Sequence, residues 1–171
     1  MAEELNVNTN ASKEDIYQEI LPQIKAIIAA EEDLIANLAN VAAILQTSFN
    51  NLWTGFYIRK GSTLVLGPFQ GPLACTRIPV EPEPKGVCGA AAAQCATFVV
   101  PDVDAFPGHI ACSSASKSEI VVPLVVDGRC ELVLDIDSRE HSTYDFIDQQ
   151  YLEEVIGLIR DRHYTQTRAV A

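Results

Sequence analysis

The five cysteines are the most reactive side chains in this 171-residue chain, and their spacing limits the chemistry open to them. They stand at positions 75, 88, 95, 112 and 130. No two of them have the close C-x-x-C spacing of a zinc ribbon or a thioredoxin-type motif. Their odd number argues against a framework of structural disulfides. Two interpretations remain: buried inert thiols, or redox chemistry between thiols that are distant in sequence.

Cys112 is the cysteine whose surroundings favour reactivity. It lies in a long irregular segment, residues 101–117, with His109 three residues before it and Lys117 nearby. Such neighbours favour a thiolate, which is the nucleophilic form of cysteine. Loops of this length in a compact domain are usually functional or disordered. We therefore predict that Cys112 is reactive, whereas for His109 we favour a hydrogen bond to the loop backbone.

Three carboxylates form a second group. Glu119 begins one predicted strand, and Asp135 and Asp137 lie near the end of its hairpin partner. Asp135 and Asp137 alternate with Ile136, so both point to one face, and pairing across the hairpin brings Glu119 close to them. Clustered carboxylates repel one another unless a cation or shared protons compensate. Three interpretations of this group remain open: a solvated strand end, a pocket for an ammonium group in which one carboxyl stays protonated as an acid, or a magnesium or calcium site. Nothing else in the sequence supports the metal site.

Two aromatic residues form a third group. Trp53 and Tyr57 lie on one face of the first predicted strand, where they either wall a small pocket for a cationic or sulfur-bearing ligand or pack as ordinary core aromatics.

The elements that position these groups follow from the hydrophobic pattern. Ser12 predicts the start of a helix that Pro22 should kink or break, and a second helix follows whose apolar stripe packs on the sheet or on a second subunit. Strands are predicted over 53–58, 63–66, 73–78, 97–100, 118–126 and 130–136, a short helix over 86–96, and a last helix from Tyr144-Asp145. The segment 67–72 is expected to be a loop. This order predicts an α+β domain with a central antiparallel sheet and helices packed on one face.

Composition bounds the remaining possibilities. We expect one domain over residues 12–164, a disordered tail over 1–11 and a frayed tail over 165–171. The net charge of −11 argues against nucleic acid and anionic membranes as partners. No stretch is long and apolar enough to span a membrane, and the polar N-terminus does not resemble a signal peptide, so a cytoplasmic location is expected.

Seven ordered motifs resemble those of the free methionine-R-sulfoxide reductases. They cover the chain from about Trp53 to Ser138 and read WTGFYI, LVLGPFQG, ACTRIPV, GVCG, DVDAFPGHIAC, SEIVVPLV and LDIDS. The resemblance implies a GAF fold, reduction of the free amino-acid sulfoxide and not of protein-bound residues, and recycling by thioredoxin. Thiol chemistry of this kind requires no metal or organic cofactor. A homodimer is compatible with the resemblance.

The resemblance also assigns residues. The redox cysteines fall in ACTRI, GVCG and GHIAC, which are Cys75, Cys88 and Cys112 here, and Cys95 and Cys130 remain core residues. The acidic substrate residues carry over to Glu119, Asp135 and Asp137, and the aromatic ones to Trp53 and Tyr57. The loop over 81–85, between Cys75 and Cys88, looks longer than the family's.

The mechanism expected from these residues is thiol chemistry. Cys112 is our nucleophile, with Cys88 as the alternative, and either Cys75 or Cys88 resolves the sulfenic acid to a disulfide. Glu119 or Asp137 protonates the sulfoxide oxygen. The rival functions are a GAF module that senses a cyclic nucleotide or other small molecule without catalysis, and a purely structural dimerisation domain.

Overall fold

The structure is a computed structural model that describes residues 4–108 and 114–165. Its elements run in the order α1 (Lys13–Ala30), α2 (Leu34–Phe49), β1 (Trp53–Lys60), β2 (Thr63–Gln70), β3 (Arg77–Pro79), α3 (Gly86–Gln94), β4 (Phe98–Val100), a 3₁₀ turn (Val103–Ala105), β5 (Ser118–Val126), β6 (Arg129–Ser138) and α4 (Phe146–His163). No helix in these two ranges has the length and apolar composition needed to cross a membrane.

The six strands form one antiparallel sheet in the order β3-β2-β1-β6-β5-β4. Two hairpins, β1–β2 and β5–β6, provide most of the pairing, and the second turns at Asp127-Gly128 as the sequence indicates. The two hairpins join through β1 and β6, which are far apart in the chain. The predicted α+β class with a central antiparallel sheet is confirmed.

Hydrophobic side chains cover both faces of the sheet. The larger cluster joins α1, α2 and α4 to one face through residues such as Ile20, Leu45, Phe56 and Ile120. The three long helices therefore share one face, as predicted. The smaller cluster joins the short helix α3 to the opposite face. Successive residues of a strand point to opposite faces, so each central strand contributes to both clusters.

The helix ends follow their capping residues. Ser12 caps α1 by accepting a hydrogen bond from the Asp15 amide, and Asp145 forms a capping box with Asp148 at the start of α4. Pro22 lies inside α1, and the helix continues through it. The expectation of a break at Pro22 is wrong, because tertiary burial of Ile20 and Ile24 holds the turns on either side of it.

The chain between β2 and β3 differs from the expectation. β2 extends to Gln70, so residues 67–70, expected as a loop, are strand. Residues 73–76, expected as strand, are irregular, and Cys75 therefore lies in a loop. Pairing with β1 is the physical reason. Phe69 lies opposite Gly55, and a register irregularity between Gly55 and Tyr57 accommodates Pro68, which has no amide hydrogen to donate.

The N-terminal segment lies against α1 over the residues that the structure describes. The backbone N–H of Asn6 donates to the side chain of Gln23, and that of Asn8 donates to the side chain of Glu19. Leu5 and Val7 pack on the larger cluster. Residues 4–11 therefore contact the domain, where the sequence predicts a disordered tail.

Candidate functional site

Strand register brings the three predicted carboxylates together. Glu119 lies directly opposite Asp137 in the β5–β6 ladder, and Asp135, two positions away, lies opposite Val121. On the other side of β6, Trp53 of β1 lies opposite Asp137. Positions two apart on a strand share a face, so these side chains gather over one patch of the sheet.

Helix α3 brings a thiol to the same patch. Cys88 lies in the first turn of α3 and is 3% exposed, and its Sγ is 4.0 Å from Oε1 of Glu119. The Sγ of Cys88 and one carboxylate oxygen each of Glu119 and Asp135 all lie within 4.8 Å of one another. The close approach of α3 depends on Gly89, since a Cβ there would lie 2.7 Å from the carbonyl oxygen of Pro79.

A cavity opens above this group. It encloses about 590 Å³ of empty space, counting the part open to solvent. Its walls come from β1, β5, β6, the loop after β2 and the start of α3. The residues that line it include Trp53, Tyr57, Leu73, Gly86, Val87, Cys88, Ser116, Glu119, Asp135 and Asp137.

Trp53 and Tyr57 form the aromatic wall of the cavity, and Phe69 stacks on Trp53. Trp53 stacks on Phe69 with ring centroids 5.5 Å apart and on Tyr57 with centroids 5.8 Å apart. Gly55 makes room for this stack, because a Cβ there would lie 2.5 Å from Cη2 of Trp53. The predicted pair Trp53 and Tyr57 does share one face, and it lines the cavity.

Burial changes the acidity of every ionisable group in the cavity floor. It raises the pKa of Glu119 and of Asp135 well above their ordinary values, and the neighbouring carboxylates raise them further. It raises the pKa of Asp137 to about 6, although the hydrogen bond donated by Ser116 Oγ acts in the opposite direction. Burial also raises the pKa of the Cys88 thiol, and the negative charges of Asp135 and Glu119 raise it further.

Two buried polar atoms in the cavity walls have no hydrogen-bond partner among the described residues. They are Nε1 of Trp53 and Oδ1 of Asp135. A buried polar group without a partner costs free energy, so such atoms in a cavity favour a polar ligand that supplies the missing hydrogen bonds.

The cysteines divide into bonded and free. Cys75, on the loop whose Leu73 lines the cavity, is in a disulfide. Cys88, Cys95 and Cys130 are free thiols; Cys130 is fully buried and Cys95 partly buried, in the same cluster. Cys112 and His109 lie outside the described residues, so the predictions made for them stay predictions.

Sequence reasoning missed Ser116, which lines the cavity and hydrogen-bonds to Asp137. No local pattern distinguishes it from the other serines of that segment. It also missed the role of Gly55, for which a signal exists, since a glycine inside a strand pattern indicates a close approach of another group.

Known relatives resemble this chain over most of its length. No protein-family model matches the chain. A relative from Dictyostelium discoideum, GAF domain-containing protein A, is 51% identical over 160 residues, 93% of this chain and 99% of the relative. The free methionine-R-sulfoxide reductase of Escherichia coli is 43% identical over 147 residues, 85% of this chain and 87% of that enzyme.

A solved structure extends the match to three dimensions. The X-ray structure of the free methionine-R-sulfoxide reductase from Neisseria meningitidis in complex with its substrate is 50% identical, with a TM-score of 0.89 over 98% of this chain and 100% of that one. Together with the relatives, this similarity establishes both fold and family. The chain belongs to the free methionine-R-sulfoxide reductases, a family of oxidoreductases built on the GAF domain.

Proposed function

We propose that this protein reduces free L-methionine-R-sulfoxide to methionine. The observation that carries the proposal is the single cavity in which buried carboxylates face an aromatic wall, beside the loop of the disulfide-bonded Cys75. Its acidic side suits an α-ammonium group, its aromatic side suits a methyl sulfoxide, and the redox cysteine suits a two-electron reduction. The names and substrate complex of its relatives point to the same reaction.

The acidic residues divide between binding and proton donation in this proposal. Asp137, whose pKa is raised only to about 6, is ionised at neutral pH and holds the substrate ammonium together with the unpartnered Oδ1 of Asp135. Glu119, whose pKa burial raises well above its ordinary value, keeps a proton and donates it to the sulfoxide oxygen.

The rest of the substrate fits the other walls. The methyl sulfoxide group contacts the rings of Trp53 and Tyr57, where sulfur–aromatic contacts are favourable. The substrate carboxylate lies near the start of α3, where Gly86 and Val87 line the cavity and no side chain caps the helix.

Reduction proceeds through a sulfenic acid and then a disulfide. The Cys112 thiolate attacks the sulfoxide sulfur and forms an S–S bond while the oxygen takes a proton from Glu119. Transfer of the resulting hydroxyl from the substrate sulfur to Cys112 breaks that bond, so that methionine leaves and Cys112 becomes a sulfenic acid. The Cys75 thiol then attacks this sulfenic acid, forming a disulfide and releasing water. Thioredoxin reduces the disulfide, which agrees with a cytoplasmic location.

Two facts favour this assignment of the cysteines over the alternatives. Burial raises the pKa of Cys88, which lowers its thiolate fraction and argues against Cys88 as the nucleophile. Cys75 is in a disulfide while Cys88 is a free thiol, which favours Cys75 over Cys88 as the resolving residue.

A single-turnover assay across cysteine variants tests the proposal. Reduced protein without added reductant is mixed with free methionine-R-sulfoxide, and methionine and remaining thiols are counted. Cys112→Ser should release no methionine. Cys75→Ser should release about one methionine per chain, because attack precedes disulfide formation, and should fail to turn over with thioredoxin. Cys95→Ser is the matched control and should behave as the wild type.

Two outcomes would contradict the proposal. A burst that survives in Cys112→Ser and disappears in Cys88→Ser would move the nucleophile to Cys88. Binding of methionine sulfoxide with no methionine released by any variant or by the wild type would favour a sensing module. As a check on the ammonium site, N-acetylmethionine sulfoxide should react poorly, since it leaves buried carboxylates without their cation.

A further inference from the structure

The floor of the cavity has the donor set of a transition-metal site. Cys88 provides a thiol sulfur, and Glu119 and Asp135 provide carboxylate oxygens, with all three ligand atoms within 4.8 Å of one another. The residues come from α3, β5 and β6, which pack firmly against each other, so the three groups are held together by the core of the domain. The substrate chemistry proposed above uses Glu119 and Asp135 but leaves Cys88 without a role.

A second observation shows that one oxygen atom of this group lacks a hydrogen-bond partner. Oδ1 of Asp135 is buried without a hydrogen-bond partner among the described residues, although Asp135 is only 6% exposed. Burial and mutual repulsion raise the pKa of both carboxyls and of the Cys88 thiol. A cation placed between these atoms would remove the repulsion and satisfy the free oxygen.

We propose that Cys88, Glu119 and Asp135 bind a zinc ion, which occupies the cavity floor in competition with the substrate. In tetrahedral zinc sites the Zn–S distance is about 2.3 Å and Zn–O distances are about 2.0–2.2 Å, so ligand atoms lie roughly 3.5 Å apart. Side-chain adjustments of about 1 Å bring the three atoms to that spacing. Binding releases the Cys88 proton and those of any protonated carboxyl. Water or Asp137, which lines the same cavity, fills the fourth position.

The donor set selects zinc over the hard cations considered from the sequence. Magnesium requires six oxygen ligands in near-octahedral geometry, and calcium requires six to eight. A thiolate with two carboxylates in a small buried space meets neither need but suits a borderline-soft ion with a preference for four ligands. The zinc ion would therefore act as a reversible inhibitor, because in the proposed function Asp135 holds the substrate ammonium and Glu119 donates the proton.

Cobalt(II) provides a direct readout, since its bond to a thiolate gives an intense near-ultraviolet absorption. The full-length protein is used with its Cys75 disulfide intact, so that Cys88 is the thiol of the cavity. Titration with Co²⁺ should produce this absorption, and Zn²⁺ should abolish it by displacement, whereas Mg²⁺ should not. Methionine sulfoxide should also displace the cobalt.

Variants locate the site. Cys88→Ser should lose the absorption. Cys130 is also a buried free thiol, and Cys130→Ser should keep the absorption. Glu119→Gln should keep the absorption but bind cobalt at least about 10-fold more weakly. Loss of an outer-shell partner of a metal ligand, a weaker perturbation, already costs about 10–100-fold in metal affinity. This variant decides the matter if Cys88→Ser does not fold.

The results separate this inference from the proposed function. No cobalt–thiolate absorption in the wild type, its persistence in Cys88→Ser, or unchanged affinity in Glu119→Gln would overturn the zinc site, whatever the activity of the enzyme. A cobalt spectrum that depends on Cys88, in a protein that releases no methionine from the sulfoxide, would support the metal site and reject the proposed reaction.

Discussion

Replacing Gly55 by alanine should damage stability and activity together, because this glycine makes room for the aromatic wall. The added Cβ would lie 2.4 Å from Cβ of Phe69 and 2.5 Å from Cη2 of Trp53. Carbon atoms in ordinary contact are about 3.5–4.0 Å apart, so the indole ring or the strand must move by about 1 Å or more. Overpacking of this kind costs about 1–3 kcal/mol, and the better strand propensity of alanine offsets about 0.5–1 kcal/mol of it. We expect a net loss of up to about 2.5 kcal/mol.

The activity should fall by more than the stability loss explains. The displaced Trp53 ring lines the cavity, and misplacement of a positioning group by about 1 Å can cost up to about 100-fold in rate. The free energy of unfolding is measured by urea titration, and kcat/KM is measured with free methionine-R-sulfoxide under conditions where the variant is folded.

Gly157→Ala is the matched control. Gly157 lies inside α4, and a Cβ there would meet no atom within 4 Å. This change should raise the free energy of unfolding by up to about 1 kcal/mol and leave kcat/KM unchanged. If Gly55→Ala were as stable and as active as the wild type, the role assigned to Gly55 would be wrong.

Two further predictions concern charge and hydrogen bonding. Folding raises the pKa of Asp137 from 3.8 to about 6, so its contribution to the free energy of unfolding is fully present below pH 3.8 and falls by about 3 kcal/mol as the pH rises through 6. Urea titrations should therefore show the wild type losing stability relative to Asp137→Asn between pH 4 and 7. A constant difference between the two proteins would refute this prediction. Tyr17→Phe removes the hydrogen bond that Tyr17 donates to the buried Asp148 at 2.9 Å and should cost about 1.5–3 kcal/mol by the same measurement, with kcat/KM unchanged because the pair lies on the other face of the sheet.

The acidic part of the site could be predicted from the sequence because its geometry is local. The short turn at Asp127-Gly128 pairs Val126 with Arg129, and a one-residue register shift between Leu124 and Val125 then places Glu119 opposite Asp137. The aromatic wall was predicted only as one face of β1. Its position beside the carboxylates depends on the pairing of β1 with β6, which no turn between them specifies.

The segment around Cys75 shows where local patterns fail and why. Residues 73–76 have the composition of a strand, and residues 67–70 contain the Gly-Pro pair of a loop, yet their conformations are the reverse. β1 is eight residues long, and β2 pairs with it as far as Gln70. An unpaired backbone amide in a buried strand would cost free energy, which favours this extended pairing. The strand then ends before Cys75, which leaves this residue in an irregular loop at the cavity.

That outcome matters for the chemistry proposed for Cys75. A resolving cysteine must approach a sulfenic acid, exchange its bond with an external dithiol and return, and the backbone around it must move each time. In a strand, such movement would break ladder hydrogen bonds with every cycle. Residues 73–76 belong to no helix or strand, and Leu73 is 90% exposed, so the loop can shift at little cost. Cys88, by contrast, is fixed in the first turn of α3 among buried residues. The same fixed position that makes Cys88 a poor partner in disulfide exchange makes it suitable as a rigid metal ligand beside Glu119 and Asp135.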